Sequence, residues 1–283
     1  MTVSEVTEQL ARQVCTVRGF EYLRPVGTGA FKHTFHVRGS EGEHALKLVI
    51  GDIDPTRIAR EIGALQACNH PSICRLFDVG SVAYGDRNVA YLVEEFLAGG
   101  TLTDCITAQM QSGLDVGSLA IALSEAIAHF AERNIVHRDI KPDNIMFRGD
   151  RIPVLVDLGI ARQLDASSLT RTWLMQGPGT PLYAAPEQLL NEKHLIDWRA
   201  DQFSLGVTLS ITFLGVHPYA EGSSFEHAVE RMARRERPTP LFYDLVQSAD
   251  MPVLKKKVEP WPVQRFSRPA ELIEAWRDWE KTR

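Results

Sequence analysis

His137-Arg138-Asp139-Ile140-Lys141-Pro142-Asp143-Asn144 is the stretch from which the rest of the chain can be read. It packs an acid, a cation and an amide oxygen into one loop. Asp139 can accept a hydroxyl proton, Lys141 can neutralise charge developing on a phosphoryl group, and Asn144 can ligate Mg²⁺ through its amide oxygen. Just downstream, Ile145 to Phe147 and Val154 to Val156 read as a hairpin around Arg148-Gly149-Asp150-Arg151. A hairpin returns its strands to one end. Asn144 and Asp157, the latter in Asp157-Leu158-Gly159, therefore converge. Two oxygen ligands so placed suit Mg²⁺ shared with phosphates. His137 reads as a packed structural residue rather than a base.

Two features upstream fit the same chemistry. Gly27-Thr28-Gly29-Ala30-Phe31 follows a strand, and its glycines let the backbone approach a phosphate closely. Taken alone, the stretch fits an ordinary hairpin turn as well. Lys47 sits in Ala45-Leu46-Lys47-Leu48-Val49, where a lysine is more often exposed or snorkelling. Thr56 to Cys68 reads as a helix on which Glu61 is three after Ile58 and four before Leu65, on the apolar face. A carboxylate there needs a partner. Lys47 is an available cation, and the pair could hold the lysine against a phosphate; a rim salt bridge is the plainer reading.

Working outward, 283 residues suggest about two domains or one bilobal unit. A hydrophobic fraction of 44% and a charged fraction of 24% exclude a disordered, collagen-like or disulfide-scaffold chain. Net charge of -5 gives no basis for general nucleic-acid binding. Arg231, Arg234, Arg235, Arg237 and Lys255 to Lys257 read as solvated faces. Cys15, Cys68, Cys74 and Cys105 lack metal-ligand spacing and fit a reducing compartment. The first residues lack the apolar core of a signal peptide, and Val207 to Val216 is too short to span a bilayer. The expectation is a soluble cytoplasmic protein with no membrane partner.

Val3, Val6, Leu10 and Val14 predict a helical extension over residues 1–19. A β-rich lobe then spans residues 20–96, with a hairpin meander from Tyr22 to Val49 and strands at Cys74 to Val79 and Val89 to Glu95. A larger, mainly helical lobe follows over residues 97–283, with helices at Leu119 to Arg133, Ala200 to Phe213, Ser224 to Arg235 and Pro269 to Lys281. The fold class is α+β, and a cleft between such lobes is where a ligand is expected.

From about Phe20 to Trp279 the chain resembles a eukaryotic-like Ser/Thr protein kinase of the stand-alone bacterial type. Gly27 and Gly29 resemble the glycine-rich loop, Lys47 the phosphate-binding lysine and Glu61 its helix partner. Asn69 to Ile73 resembles the turn after that helix, and Glu95 to Leu102 the hinge. Asp139 resembles the catalytic base, Lys141 marks Ser/Thr rather than Tyr kinases, and Asn144 and Asp157 resemble the metal ligands. Gly179-Thr180-Pro181 and Ala185-Pro186-Glu187 resemble the end of the activation segment. Asp201 resembles the acid anchoring the catalytic loop, and Arg265 the partner of Glu187.

The resemblance implies a bilobal kinase fold, one catalytic domain, and transfer of the γ-phosphate of Mg-ATP to Ser/Thr hydroxyls of protein substrates. Mn²⁺ is a possible substitute for Mg²⁺. ATP would lie near Ala45 and the hinge backbone at Glu95 and Leu97, under Gly27, Thr28, Gly29, Ala30 and Phe31 and against Lys47. Autophosphorylation through a transient homodimer is expected, with Thr170 and Thr172 favoured among Ser167, Ser168, Thr170, Thr172 and Thr180. Two other classes compete: a pseudokinase scaffold, and a small-molecule phosphotransferase. The full catalytic set argues against the first, and Lys141 with Ala185 to Glu187 against the second.

Four positions depart from the family pattern. Lys32 replaces the third loop glycine, Thr34 a valine beneath adenine, and Leu158 the aromatic of the metal-binding triplet. Glu94 stands just before the hinge, where a neutral side chain is usual. Either it reaches the back of the adenine pocket, where burial is costly unless paired, or the strand is one residue out of register and it faces solvent.

Overall fold

A computed structural model describes residues 3–28, 32–49, 62–63, 66, 68–85, 87–110, 113–149, 151–157, 181–221 and 225–283. The chain divides into two compact units. The first comprises Met1–Asn69 and Cys74–Ala98; the second comprises His70–Ile73 and Gly99–Arg283.

The first unit opens with helix α1, Val3–Arg18. Gly19 stops it in the left-handed region (φ 71°), and the Phe20 N–H donates back to the Cys15 carbonyl at 2.8 Å. That is a Schellman ending, which glycine adopts without the Cβ penalty other residues carry. Strands β1 (Glu21–Thr28), β2 (Lys32–Gly39), β3 (Gly42–Val49), β4 (Leu76–Tyr84) and β5 (Arg87–Glu95) form one antiparallel sheet in the order β1-β2-β3-β5-β4.

Because side chains alternate along strands, register sorts the sheet into two faces. Phe35, Val37, Leu46, Leu48, Tyr91 and Val93 bury against Leu10, Ala11, Val14 and Cys15 of α1. On α1 these four lie at helical spacing, so one stripe meets one sheet face. Each large side chain buried this way contributes about 1.5–3 kcal/mol. Thr7 Oγ1 and His33 Nδ1 meet within the same contact at 3.1 Å, and Arg18 pairs with Asp78 of β4. The opposite face carries Thr34, Ala45, Lys47, Leu92 and Glu94, since Thr34 lies across from Lys47, Lys47 from Leu92, and Ala45 from Glu94. Thus the helix covers one side of the sheet and the candidate nucleotide residues occupy the other.

The second unit is built around α2 (Leu102–Thr107), α3 (Val116–Ala131), α4 (Pro186–Leu189), α5 (Trp198–Leu209), α6 (Phe225–Ala233), α7 (Pro240–Ser248), α8 (Val253–Lys257) and α9 (Pro269–Lys281), with a hairpin of β6 (Ile145–Phe147) and β7 (Pro153–Leu155). Asp115 caps α3, accepting from the Gly117 and Ser118 N–H groups, and Asp197 caps α5 by accepting from the Arg199 N–H. From Ala200 to Leu209, α5 is buried throughout. Its polar residues survive there because Ser204 and Thr208 donate to carbonyls four residues back, at 3.1 and 2.8 Å. A π-helical turn, Ser210–Leu214, extends α5 until Gly215 (φ 69°) ends it. Among the described residues no helix is long and apolar enough to cross a membrane.

The basic clusters need correction. Lys257 is fully buried, and so is most of Arg235, which pairs with Glu192 and stacks 3.7 Å from the Trp261 ring centre. Lys257 shares a helix face with Val253 and Leu254, both buried, so the cluster is not a solvated face at that position.

Candidate active-site residues

The first unit supplies the candidate nucleotide residues. Gly27 and Thr28 end β1, paired with Thr34 and His33 of β2. Gly29, Ala30, Phe31 and Glu61 lie outside the described residues. Ala45 and Lys47 are nearly fully buried on β3. Lys47 Nζ lies 2.6 Å from Glu94 Oε2, with side chains only 8% and 13% exposed. Register explains the reach. Lys47 opposes Leu92, so Glu94, two residues on, is its diagonal neighbour on the same face, a distance that long side chains span. Glu94 therefore does not face solvent. Cys74 Sγ approaches the same oxygen at 3.7 Å and the Glu95 carbonyl at 3.9 Å. The Glu95 N–H donates to the Arg75 carbonyl at 2.9 Å, fixing the strand end that leads into buried Leu97. Phe96, between them, stacks flat on His36 at 3.6 Å.

The second unit supplies the candidate catalytic residues. Asn144 Nδ2 donates to Asp139 Oδ2 at 2.9 Å and to the Asp139 carbonyl at 2.8 Å, while Lys141 Nζ stands 3.5 Å from Asp139 Oδ2. With its amide nitrogen committed to Asp139, Asn144 presents its oxygen as the remaining acceptor. The Val156 N–H donates to the Asn144 carbonyl at 3.0 Å, which brings Asp157 beside Asn144 along the hairpin. Ile145, Met146 and Phe147 pair with Leu155, Val154 and Pro153, so the hairpin returns the backbone at Asn144 and Asp157 to the same end.

Asp201 on α5 organises this loop from beneath. Its carboxylate, fully buried, accepts the His137 N–H at 2.7 Å and the Arg138 N–H at 2.8 Å. Burial pushes the Asp201 carboxyl up to about 7, against the pull of those two N–H groups toward the anion. Arg138 is held at φ 66°, a left-handed conformation costing roughly 1–2 kcal/mol for a residue with a Cβ. Asp201 below and Gln188 Nε2, which donates to the Arg138 carbonyl at 3.1 Å, both brace it there. Asp157 is likewise left-handed, at φ 55°. His137 accepts the Asp139 N–H on Nδ1 at 3.3 Å, so its Nε2 carries the proton and donates to the Val156 carbonyl at 3.1 Å. Both ring nitrogens are occupied in structural bonds, as expected for a packed residue rather than a base.

Glu187 and Arg265 form a two-pronged pair at 2.6 and 2.9 Å with both side chains fully buried, and Arg265 also donates to the Glu259, Arg199 and Pro260 carbonyls. Satisfying the guanidinium this completely is what makes a buried ion pair tolerable. It anchors the segment around Ala185 to Glu187. His217 Nε2 bonds the Leu182 carbonyl at 2.8 Å just before it. Ser167, Ser168, Thr170, Thr172, Thr180 and Leu158 lie outside the described residues. Sequence reasoning missed the Lys47–Glu94 contact. Its signal was available in the strand pairing: an antiparallel β3–β5 ladder with Ala45 opposite Glu94 puts the two side chains on one face.

An acid bonded to an asparagine, a lysine beside it and an anchoring acid beneath form a loop suited to moving a phosphoryl group. The chain matches the protein kinase domain over residues 20–272 and belongs to that family. Among its relatives, a probable serine/threonine-protein kinase of Streptomyces coelicolor is 30% identical over 274 residues, 90% of this chain and 40% of that protein. A probable serine/threonine-protein kinase of Clostridium perfringens is 26% identical over 262 residues, 90% of this chain and 37% of its own length. The serine/threonine-protein kinase PknB of Mycobacterium leprae is 32% identical over 203 residues, 69% of this chain and 32% of PknB. The chain thus spans about two fifths or less of the length of these relatives.

Proposed function

We propose that the chain is a serine/threonine protein kinase that transfers the γ-phosphoryl group of ATP, with Mg²⁺, to hydroxyls of protein substrates. The observation that carries this reading is the Asp139 carboxylate held by Asn144 at 2.9 Å with Lys141 at 3.5 Å. Asp139 orients a substrate hydroxyl and takes its proton as the oxygen bonds to phosphorus. The bond from phosphorus to the β,γ-bridging oxygen breaks, and ADP leaves with that oxygen. Lys141 offsets the negative charge spread over the transferring group. The donor set of Asn144 and Asp157 is all oxygen, which fits a hard cation held jointly with phosphates rather than in an all-protein cage. Bound there, Mg²⁺ supplies charge neutralisation of the phosphate oxygens. Lys47 holds phosphates, and the backbone at Glu95 and Leu97 receives adenine.

Relatives named as serine/threonine kinases support a Ser/Thr acceptor, as does Lys141 at its place in the loop. The reading extends to autophosphorylation in trans, with Thr170 and Thr172 the favoured acceptors, and to a cytoplasmic setting. The test is transfer of labelled phosphate from Mg-ATP to casein and to small alcohols, using wild type and Asp139→Asn. Transfer to casein alone, abolished in Asp139→Asn while ATP still binds, is the expected result. Equal transfer by the Asp139 variant, or transfer only to small alcohols, overturns it.

A further inference from the structure

We infer that Glu94 is a positioning residue for nucleotide phosphates: it fixes the Lys47 ammonium from within the sheet. The inference rests on the proposed phosphotransfer reading and deepens it at the lysine. The structure places Glu94 Oε2 2.6 Å from Lys47 Nζ, between side chains that are almost wholly buried. Both residues stand on paired strands, β3 and β5, so their separation is set by main-chain hydrogen bonds rather than by the docking of another element. The ladder around them is continuous: Leu46, Lys47, Leu48 and Val49 pair with Val93, Leu92, Tyr91 and Ala90. The opposite face of the same strands is packed through Leu46, Leu48 and Val93 against α1, which holds the ladder rigid.

Glu94 Oε2 engages one of the three donors that an ammonium carries. Without a carboxylate, a lysine in this setting would be costly to keep charged. Glu94 offsets the cost of burying the ammonium and aims it along the face that also carries Ala45 and Thr34. Cys74 Sγ lies 3.7 Å from the same carboxylate oxygen. The consequence is a phosphate-binding lysine whose aim is set by a neighbour within the sheet itself.

Direct binding separates this role from a merely structural one. ATP engages Lys47 through its phosphates; adenosine has none and reports only the adenine side of the site. Glu94→Gln, whose amide oxygen can still accept from Lys47 but carries no charge, is expected to weaken ATP by about tenfold and to leave adenosine affinity unchanged. In turnover the same variant is expected to raise the KM for ATP more than it lowers kcat. Glu94→Asp, which keeps the charge but withdraws it by one methylene, is expected to fall between. It also serves should Glu94→Gln fail to fold, with adenosine binding as the check on the site's integrity.

Unchanged or tighter ATP binding in Glu94→Gln overturns the inference, and tighter binding would mean that the carboxylate competes with phosphate. An equal loss of adenosine and ATP also overturns it, by reducing Glu94 to a support of the pocket wall. Wild type that binds ATP but transfers no phosphate would instead defeat the kinase reading and leave the binding comparison intact.

Discussion

Lys257 ends α8 fully buried, with its ammonium nitrogen 5.5 Å from the centre of the Trp276 ring and no hydrogen-bond partner among the described residues. Burial drives its pKa well below that of a free lysine. The sign follows directly: the unfolded chain takes up a proton near the ordinary lysine value that the folded chain resists, so stability rises with pH toward that value. Lys257→Met keeps the aliphatic stem and removes the amine. Its melting temperature at neutral pH is expected to exceed wild type by several degrees, about 2–4 °C for each kcal/mol gained, with the gap narrowing as pH approaches the lysine range. Melting curves at pH 7 and pH 9.5 check both halves. Composition gave no warning of this residue. Only its spacing from Val253 and Leu254 placed it inward, and a run of three lysines masks that signal.

At the scale of elements, strong periodicity carried well. The N-terminal helix was legible from Val6, Leu10 and Val14, and the final helix, Pro269–Lys281, from its proline start and apolar stripe. The helices at Leu102–Thr107, Pro240–Ser248 and Val253–Lys257 were not. They are short, and two of them are fixed by a capping threonine, Thr101 or Thr239, that looks like loop chemistry in the bare sequence. The loop from His137 to Asn144 stood out because it puts an acid, a cation and an amide into eight residues, and the fold brings Asp139, Lys141 and Asn144 together. Glu94 could not be assigned, because its role depends on a diagonal neighbour across a strand pair. For α1, Leu10→Ala is expected to cost about 2–5 kcal/mol, since Leu10 is buried in the centre of the helix–sheet contact. Urea unfolding followed by circular dichroism measures it, and a change below about 0.5 kcal/mol would show that the helix is loosely seated.

Across the whole molecule, acid response is a contest between buried groups of opposite sign. His217 is pushed down to about 4 by burial and remains neutral in the fold. The stability it contributes is lost as pH falls from about 6.5 through 4. His70 and His129, also lowered by burial, act in the same direction. Asp201 works oppositely. Raised to about 7, it contributes stability present below about 3.9 and lost as pH rises through 7. The shifts correspond to about 3 kcal/mol for His217 and about 4 kcal/mol for Asp201, and between pH 4 and 6.5 their opposed slopes largely cancel. Asp201→Asn removes one side of the contest. It also leaves the His137 or Arg138 N–H facing an amide nitrogen, which costs about 1–3 kcal/mol and disturbs the Asp139 loop. The melting temperature of this variant is expected to climb more steeply than wild type between pH 4.5 and 6.5, with phosphotransfer reduced throughout. Parallel slopes in the two proteins would remove Asp201 from the account.

The seat of α1 also equips the protein with a chemical clock. Cys15 is buried in that contact, and burial raises its thiol to about 11, so it is both shielded and almost wholly protonated while the helix is docked. An alkylating reagent needs the thiolate and an open path to it. Its rate of attack on Cys15 therefore counts departures of the helix from the sheet. Timed by mass spectrometry, with and without nucleotide, that single sulfur reports whether occupancy of one sheet face tightens the grip of the other.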